Sequence, residues 1–138
     1  MCKRILVVIS AILLTVCLFF ANNTPLFKGY ANNCEIYLDD CSNTKAIINL
    51  KNDKYPFIFN KKGESVCIEK QTFDLHTFLL EMRASVIFSE IVDGKTSYYA
   101  YSPKIKYMQK VKNRNINLHV VIGENSVKVG SPVIYGSF

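Results

Sequence analysis

Three cysteines lie beyond residue 21, at positions 34, 41 and 67. With His76 and His119 they are the side chains best suited to thiol or metal chemistry. Cys34 and Cys41 bracket six residues, a spacing that allows a small disulfide loop in an oxidising compartment. That pairing leaves Cys67 alone. It sits between Val66 and Ile68, which in a strand point to the opposite face, and Cys67 is expected to be buried and unreactive, packed as a small hydrophobe. A zinc site would need further ligands at tight spacing, and both histidines are isolated, so no metal is expected. Cys67 with His76 would form a thiol–imidazole pair, but nothing nearby puts either on an exposed turn or helix start. Asp39 and Asp40 are adjacent and should diverge, while Glu64, Glu69, Glu81 and Glu90 read as solvated positions. The 6 glycines are dispersed and form no phosphate-cradling loop. The expectation is therefore no catalytic residue and no cofactor.

The most unusual stretch is Tyr98–Arg114. It holds four tyrosines (Tyr98, Tyr99, Tyr101 and Tyr107) and the cations Lys104, Lys106, Lys110, Lys112 and Arg114, with no acid between Lys95 and Gly123. Aromatic and basic groups together can stack on and pair with anionic partners. In an extended strand over 105–111, Lys104, Lys106, Lys110 and Lys112 would share one side, opposite Ile105, Tyr107 and Val111. The partners this implies are anionic lipid, wall polymer or an envelope protein, and not nucleic acid. Packing alone would also favour strand tyrosines.

Elements must hold these residues in place, and the first is unlike the rest. Lys3 and Arg4 precede a charge-free run, Ile5–Ala21, ILVVISAILLTVCLFFA. A short positive flank and an apolar run form an export signal, with the flank kept inside and the remainder outside. At ~1.5 Å per residue the run is about 26 Å long, close to the ~30 Å hydrocarbon core. Phe19 stands at −3 relative to a cut after Ala21, where a small residue is needed. Residues 1–21 are thus an uncleaved signal anchor or a cleaved signal peptide. Membrane contact through 5–21 is expected, with the domain extracytoplasmic, or secreted if the signal is removed. Residues 22–33 read as a linker, and 34–138 as a single domain.

Within that domain, short strands are expected at 35–38, 45–50, 55–60 and 65–69, with turns at 51–54 and 61–64. Thr72 or Asp74 can cap a helix whose stripe is Phe73, Leu75, Phe78, Leu79 and Met82, ending near Ala84. A meander follows. Ser85–Val92 returns through the Asp93–Gly94 hairpin to 95–102, and 105–111 turns at 112–115. Ile116, Leu118, Val120 and Ile122 alternate, Gly123–Asn125 turns, and Val127 and Val129 continue. Val133 and Tyr135 are expected to dock on the sheet. The order predicts an α+β fold: an N-terminal hydrophobic helix, then an antiparallel sheet covered by one main helix. Hydrophobic residues at 49% suffice for a core, and +4 remains of the formal +6 once Lys3 and Arg4 are set aside.

Three segments, Ser97–Pro103, Asn117–Ile122 and Gly130–Phe138, resemble short exported proteins of low-GC Gram-positive bacteria. The helix and everything after it also resemble the YwmB-like proteins of spore-formers, whose fold is similar to that of the TATA-box-binding protein. The resemblance implies a fold and transfers no catalytic residue. The expected function is a non-catalytic binding or interaction module at the cell envelope, membrane-anchored or secreted. The alternative is an envelope-associated enzyme whose site the sequence does not reveal.

Overall fold

The computed structural model describes residues 2–21, 25–30, 33–38, 47–51 and 61–135. The chain is α+β. Its first helix, α1, spans Cys2–Ala21. Side chains 5–17 are all exposed. The polar groups among them turn inward: Ser10 donates to the Val7 carbonyl and Thr15 to that of Ala11. Among the described residues, no helix is long and apolar enough to cross a membrane.

Nine strands follow among the described residues: β1 (Asn33–Tyr37), β2 (Ile47–Lys51), β3 (Gly63–Glu69), β4 (Ser85–Val92), β5 (Lys95–Tyr101), β6 (Gln109–Val111), β7 (Arg114–Ile116), β8 (Leu118–Ile122) and β9 (Ser126–Ser131). Seven of them form one sheet in the order β2-β1-β3-β9-β8-β5-β4, antiparallel throughout. The sheet is an early set, β1 to β3, and a later set, β4, β5, β8 and β9, joined where β3 pairs with β9. Strands β6 and β7 make a separate ribbon.

Helix α2 spans Leu75–Glu81. Asp74 caps it, accepting the Thr77 N–H at 2.7 Å. That hydrogen bond holds the Asp74 carboxyl below the usual carboxylate range. The stripe does what its spacing demands. Phe78 and Met82 enter a buried cluster with Val66, Ile68, Ala100, Leu118, Val120, Val127 and Val129 from four strands. Burial of a Phe of this kind contributes about 1.5–3 kcal/mol.

Residues 25–30, part of the stretch that composition marks as a linker, contribute to the same core. Phe27 is 1% exposed, its ring lies 6.4 Å from that of Phe78, and Tyr30 meets Phe78 edge-on at 5.2 Å.

Several local expectations need correction. Strand β3 begins at Gly63, inside the expected 61–64 turn, because Glu64 pairs in register with both Ile36 and Ser131. The expected strand 105–111 is extended only over Gln109–Val111. Its first half is held as a loop by Asn117, whose Nδ2 donates to the Ser102 and Ile105 carbonyls. The same asparagine divides the alternating 116–122 run into β7 and β8. The hairpins match their turn chemistry: Asp93–Gly94 and Lys112–Asn113 all have positive φ, as two-residue turns of this hand require. Arg114 and Asn115 belong to β7 rather than to the turn. The run 55–60, Asp39, Asp40 and Cys41 lie outside the described residues.

Candidate functional site

The sheet presents two faces. One holds the core cluster. On the other, register aligns a single transverse row: Glu35 opposite Ser65, Ser65 opposite Gly130, Gly130 opposite His119, His119 opposite Tyr99, and Tyr99 opposite Phe88. At one end of the row the rings stack. Phe88 and Tyr99 lie 4.4 Å apart at 16°, and Tyr99 and His119 4.3 Å apart at 14°. Lys112 and Arg114 reach over the Phe88 ring from the small ribbon, at 5.1 and 5.8 Å from its centre. Tyr99 donates to Glu90 at 2.8 Å, and Lys112 pairs with the other oxygen of Glu90. Lys112, then Tyr99, hold the Glu90 carboxyl below its usual range. Burial and the Glu90 bond push the Tyr99 hydroxyl up to about 12.

At the other end Tyr37 donates to Ser65 at 2.7 Å, Ser65 to Glu35 at 2.9 Å, and Lys128 pairs with Glu35 at 2.8 Å. A hydroxyl beside a carboxylate is nucleophile geometry, but Ser65 is 0% exposed, so no substrate reaches it. The C-terminal segment crosses the middle of the row at Gly130. There the Ile134 N–H donates to His119 Nδ1 at 3.2 Å, and Tyr135 meets Tyr37 edge-on at 5.0 Å. Tyr135 is buried and Val133 half-buried, as expected of a docked terminus.

The sequence-derived candidates separate. Cys67 is exposed, not buried. Alternation sends Val66 and Ile68 into the core and turns Cys67 to the opposite face, beside Lys128. Helix α2, with His76, packs on the core side, so the Cys67–His76 pair is not assembled. Cys34 is half-buried, and burial, then the nearby Glu64 carboxylate, push its thiol up to about 12. Glu64 is buried at 1% rather than solvated. It accepts the Leu26 and Phe27 N–H groups and pairs with Lys61 at 2.8 Å.

The five cations do not form one lysine-lined strand face. Lys104 donates to the Glu81 carbonyl at 2.6 Å, Lys112 pairs with Glu90, and Arg114 donates to the Ile87 carbonyl at 3.0 Å. Among the described residues, Lys106 and Lys110 have no ion-pair partner.

Those two lysines flank an exposed tip. Asn117 accepts the Ser102 N–H at 2.7 Å and Ser102 donates to the Met82 carbonyl, fixing the loop base to the end of α2. Ile105 plugs the core at 5% exposure. Gln109 accepts from the Tyr135 hydroxyl at 2.6 Å. Between these fixed points Lys106, Tyr107 and Met108 face solvent, with Tyr107 43% and Met108 51% exposed. The sequence marks the lysines. That Tyr107 and Met108 stand outward beside them follows from the clamp at Asn117, which no local pattern announces. Among the described residues no cluster of His, Cys, Asp and Glu is arranged to hold a metal. No protein-family model matches the chain, and neither does any curated protein or solved structure.

Proposed function

We propose that this protein is a membrane-tethered, extracytoplasmic binding module without catalytic activity, and that its 103–110 loop is the contact for an anionic envelope component. The observation that carries this reading is the fixed loop tip, where Tyr107 and Met108 are exposed between Lys106 and Lys110. An amphipathic ring, a flexible apolar chain and two cations suit an interface that is apolar within and anionic outside. Each lysine near such a surface supplies about 1 kcal/mol, so the pair supplies roughly 2 kcal/mol at low salt.

In this reading α1 is the tether. Lys3 and Arg4 remain inside, and the apolar exterior of residues 5–17 meets lipid. Helix α2 serves as the main cover of the core face of the sheet. The aromatic row on the other face is a framework that fixes the small ribbon carrying the loop's far end.

The test is flotation of the full chain with vesicles rich in phosphatidylglycerol and with neutral vesicles, followed by treatment with tetranitromethane. The expected result is that both retain the chain through α1 and that anionic but not neutral vesicles protect Tyr107 from nitration, a protection that Lys106→Gln/Lys110→Gln removes. A chain that stays with neither kind of vesicle refutes the tether. A double variant that behaves like the parent refutes the loop contact.

A further inference from the structure

The strand directions place the tether and the loop at the same end of the sheet. Strand β3 starts at this end, at Gly63, and its partner β9 finishes there at Ser131. β8 begins there and β5 ends there, since Ala100 is opposite Leu118. The chain leaves β5 at this end to make the 103–110 loop. α2 runs back toward it, as the Ser102–Met82 bond shows. Residues 25–30 sit at the same end. Leu26 and Phe27 are held by Glu64 near the start of β3, and Tyr30 donates to Glu81 near the end of α2. The opposite end carries the 93–94 and 123–125 turns.

Only three residues separate Ala21, the end of α1, from Pro25. Four steps of extended chain reach about 14 Å at most. The domain therefore cannot drift from the end of α1, and the end of the sheet closest to α1 is the one bearing Lys106–Lys110.

Charge follows the same axis. Exposed Lys28, Lys62, Arg83, Lys104, Lys106 and Lys110 cluster at the tether end, where Glu81 is the exposed acid among the described residues. The far end exposes Glu69, Asp74, Asp93 and Glu124 against Lys70, with Lys95 half-buried. A domain polarised in this way turns its basic end toward an anionic plane and its acidic end away.

We infer that the domain stands upright on an anionic bilayer, with the 103–110 loop seated in the headgroup layer: Tyr107 and Met108 at the acyl boundary, Lys106 and Lys110 on lipid phosphates. The inference deepens the function proposed above and rests on α1 being the tether. Tethering alone would permit any orientation. The short reach, the shared end and the charge axis select one.

The sequence contains no tryptophan, so one substitution gives a single reporter. The full chain carrying Tyr107→Trp is incorporated into phosphatidylglycerol vesicles and compared with Ile91→Trp, a position 75% exposed beside the far-end hairpin. Lipids brominated near the headgroup are expected to quench the Trp at 107 and shift its emission to the blue, and to leave the Trp at 91 unquenched. Aqueous iodide should do the reverse, with severalfold weaker quenching at 107 than at 91. Adding Lys106→Gln and Lys110→Gln should return the reporter at 107 toward water. A chain that floats with the vesicles while the reporter at 107 stays open to iodide overturns the orientation and leaves the tether standing. Failure to float overturns both. A response to wall polymer in place of lipid overturns the lipid contact.

Discussion

Glu64 accepts the backbone N–H of Phe27 at 3.0 Å, across 37 positions of sequence. The same oxygen takes the Leu26 N–H, and its partner oxygen holds Lys61. A buried carboxylate with three donors acts as a peg on which residues 25–30 hang. Removing it leaves two N–H groups and a cation in an apolar setting. Glu64→Ala is expected to cost about 3–5 kcal/mol, and Glu64→Gln, which keeps an acceptor, roughly half as much. Urea midpoints of the two variants test this, and equal losses would show that the charge rather than the acceptor matters.

Acid should loosen the aromatic row through His119. Burial lowers its pKa from 6.5 to about 4, with Glu90 opposing. Its Nδ1 accepts from Ile134, which a protonated ring cannot do. The unfolded chain thus binds a proton below about 6.5 that the folded chain refuses until about pH 4. Stability is complete above pH 6.5, falls as pH drops through that window, and levels below it, with a total loss of about 3 kcal/mol at most. Glu90, whose pKa is also depressed, adds loss in the same direction at lower pH. His119→Gln should flatten the profile between pH 6.5 and 4 in chemical denaturation. An unchanged slope would assign the effect elsewhere.

The thiols should react in a definite order. Cys67 is exposed, whereas Cys34 is half-buried with its thiol pushed up to about 12. Brief iodoacetamide treatment of native protein at pH 8 is expected to label Cys67 and spare Cys34 until urea is added. Peptide mapping reads the result. Labelling of Cys34 as fast as Cys67 would contradict the geometry.

Two glycines mark where chain crosses chain. A Cβ at Gly130 would lie 2.6 Å from Ile134 Cγ1, and one at Gly63 only 2.2 Å from the Ser131 carbonyl oxygen. Ile134 can shift a side chain, whereas the carbonyl is part of β9. Gly130→Ala is expected to cost about 1–3 kcal/mol and Gly63→Ala more. Thermal unfolding of both variants checks the ranking.

The alternation of Ile116, Leu118 and Val120 and the Asp93–Gly94 turn were readable because each is a local rule: period two in a half-buried strand, positive φ in a tight turn. The helix cap was readable for the same reason to within two candidates, Thr72 or Asp74, of which the structure uses Asp74. What local pattern could not show were contacts made across long separations. Glu64 looks like any surface acid until residues 25–30 are brought over it. Asn117 looks like an ordinary polar residue until its amide grips Ser102 and Ile105. Cys67 was expected to be buried on the face opposite Val66 and Ile68, but no local pattern shows that this face stays open where Cys67 stands beside Lys128. Of the candidate surface, the lysines were visible, but Lys104, Lys112 and Arg114 are committed to Glu81, Glu90 and Ile87, and the exposed tip narrows to 106–110.

The junction between β3 and β9 also governs the order in which this chain can mature. During synthesis β1, β2 and β3 emerge first, but the far edge of β3 has no strand to join until β9, the last of the described strands, has appeared. At roughly 5–20 residues per second that interval lasts several seconds. Throughout it, Val66 and Ile68 have neither Val127 nor Val129 beside them, so the first half of the sheet must stay unjoined, or be shielded by a chaperone, until β9 has been made.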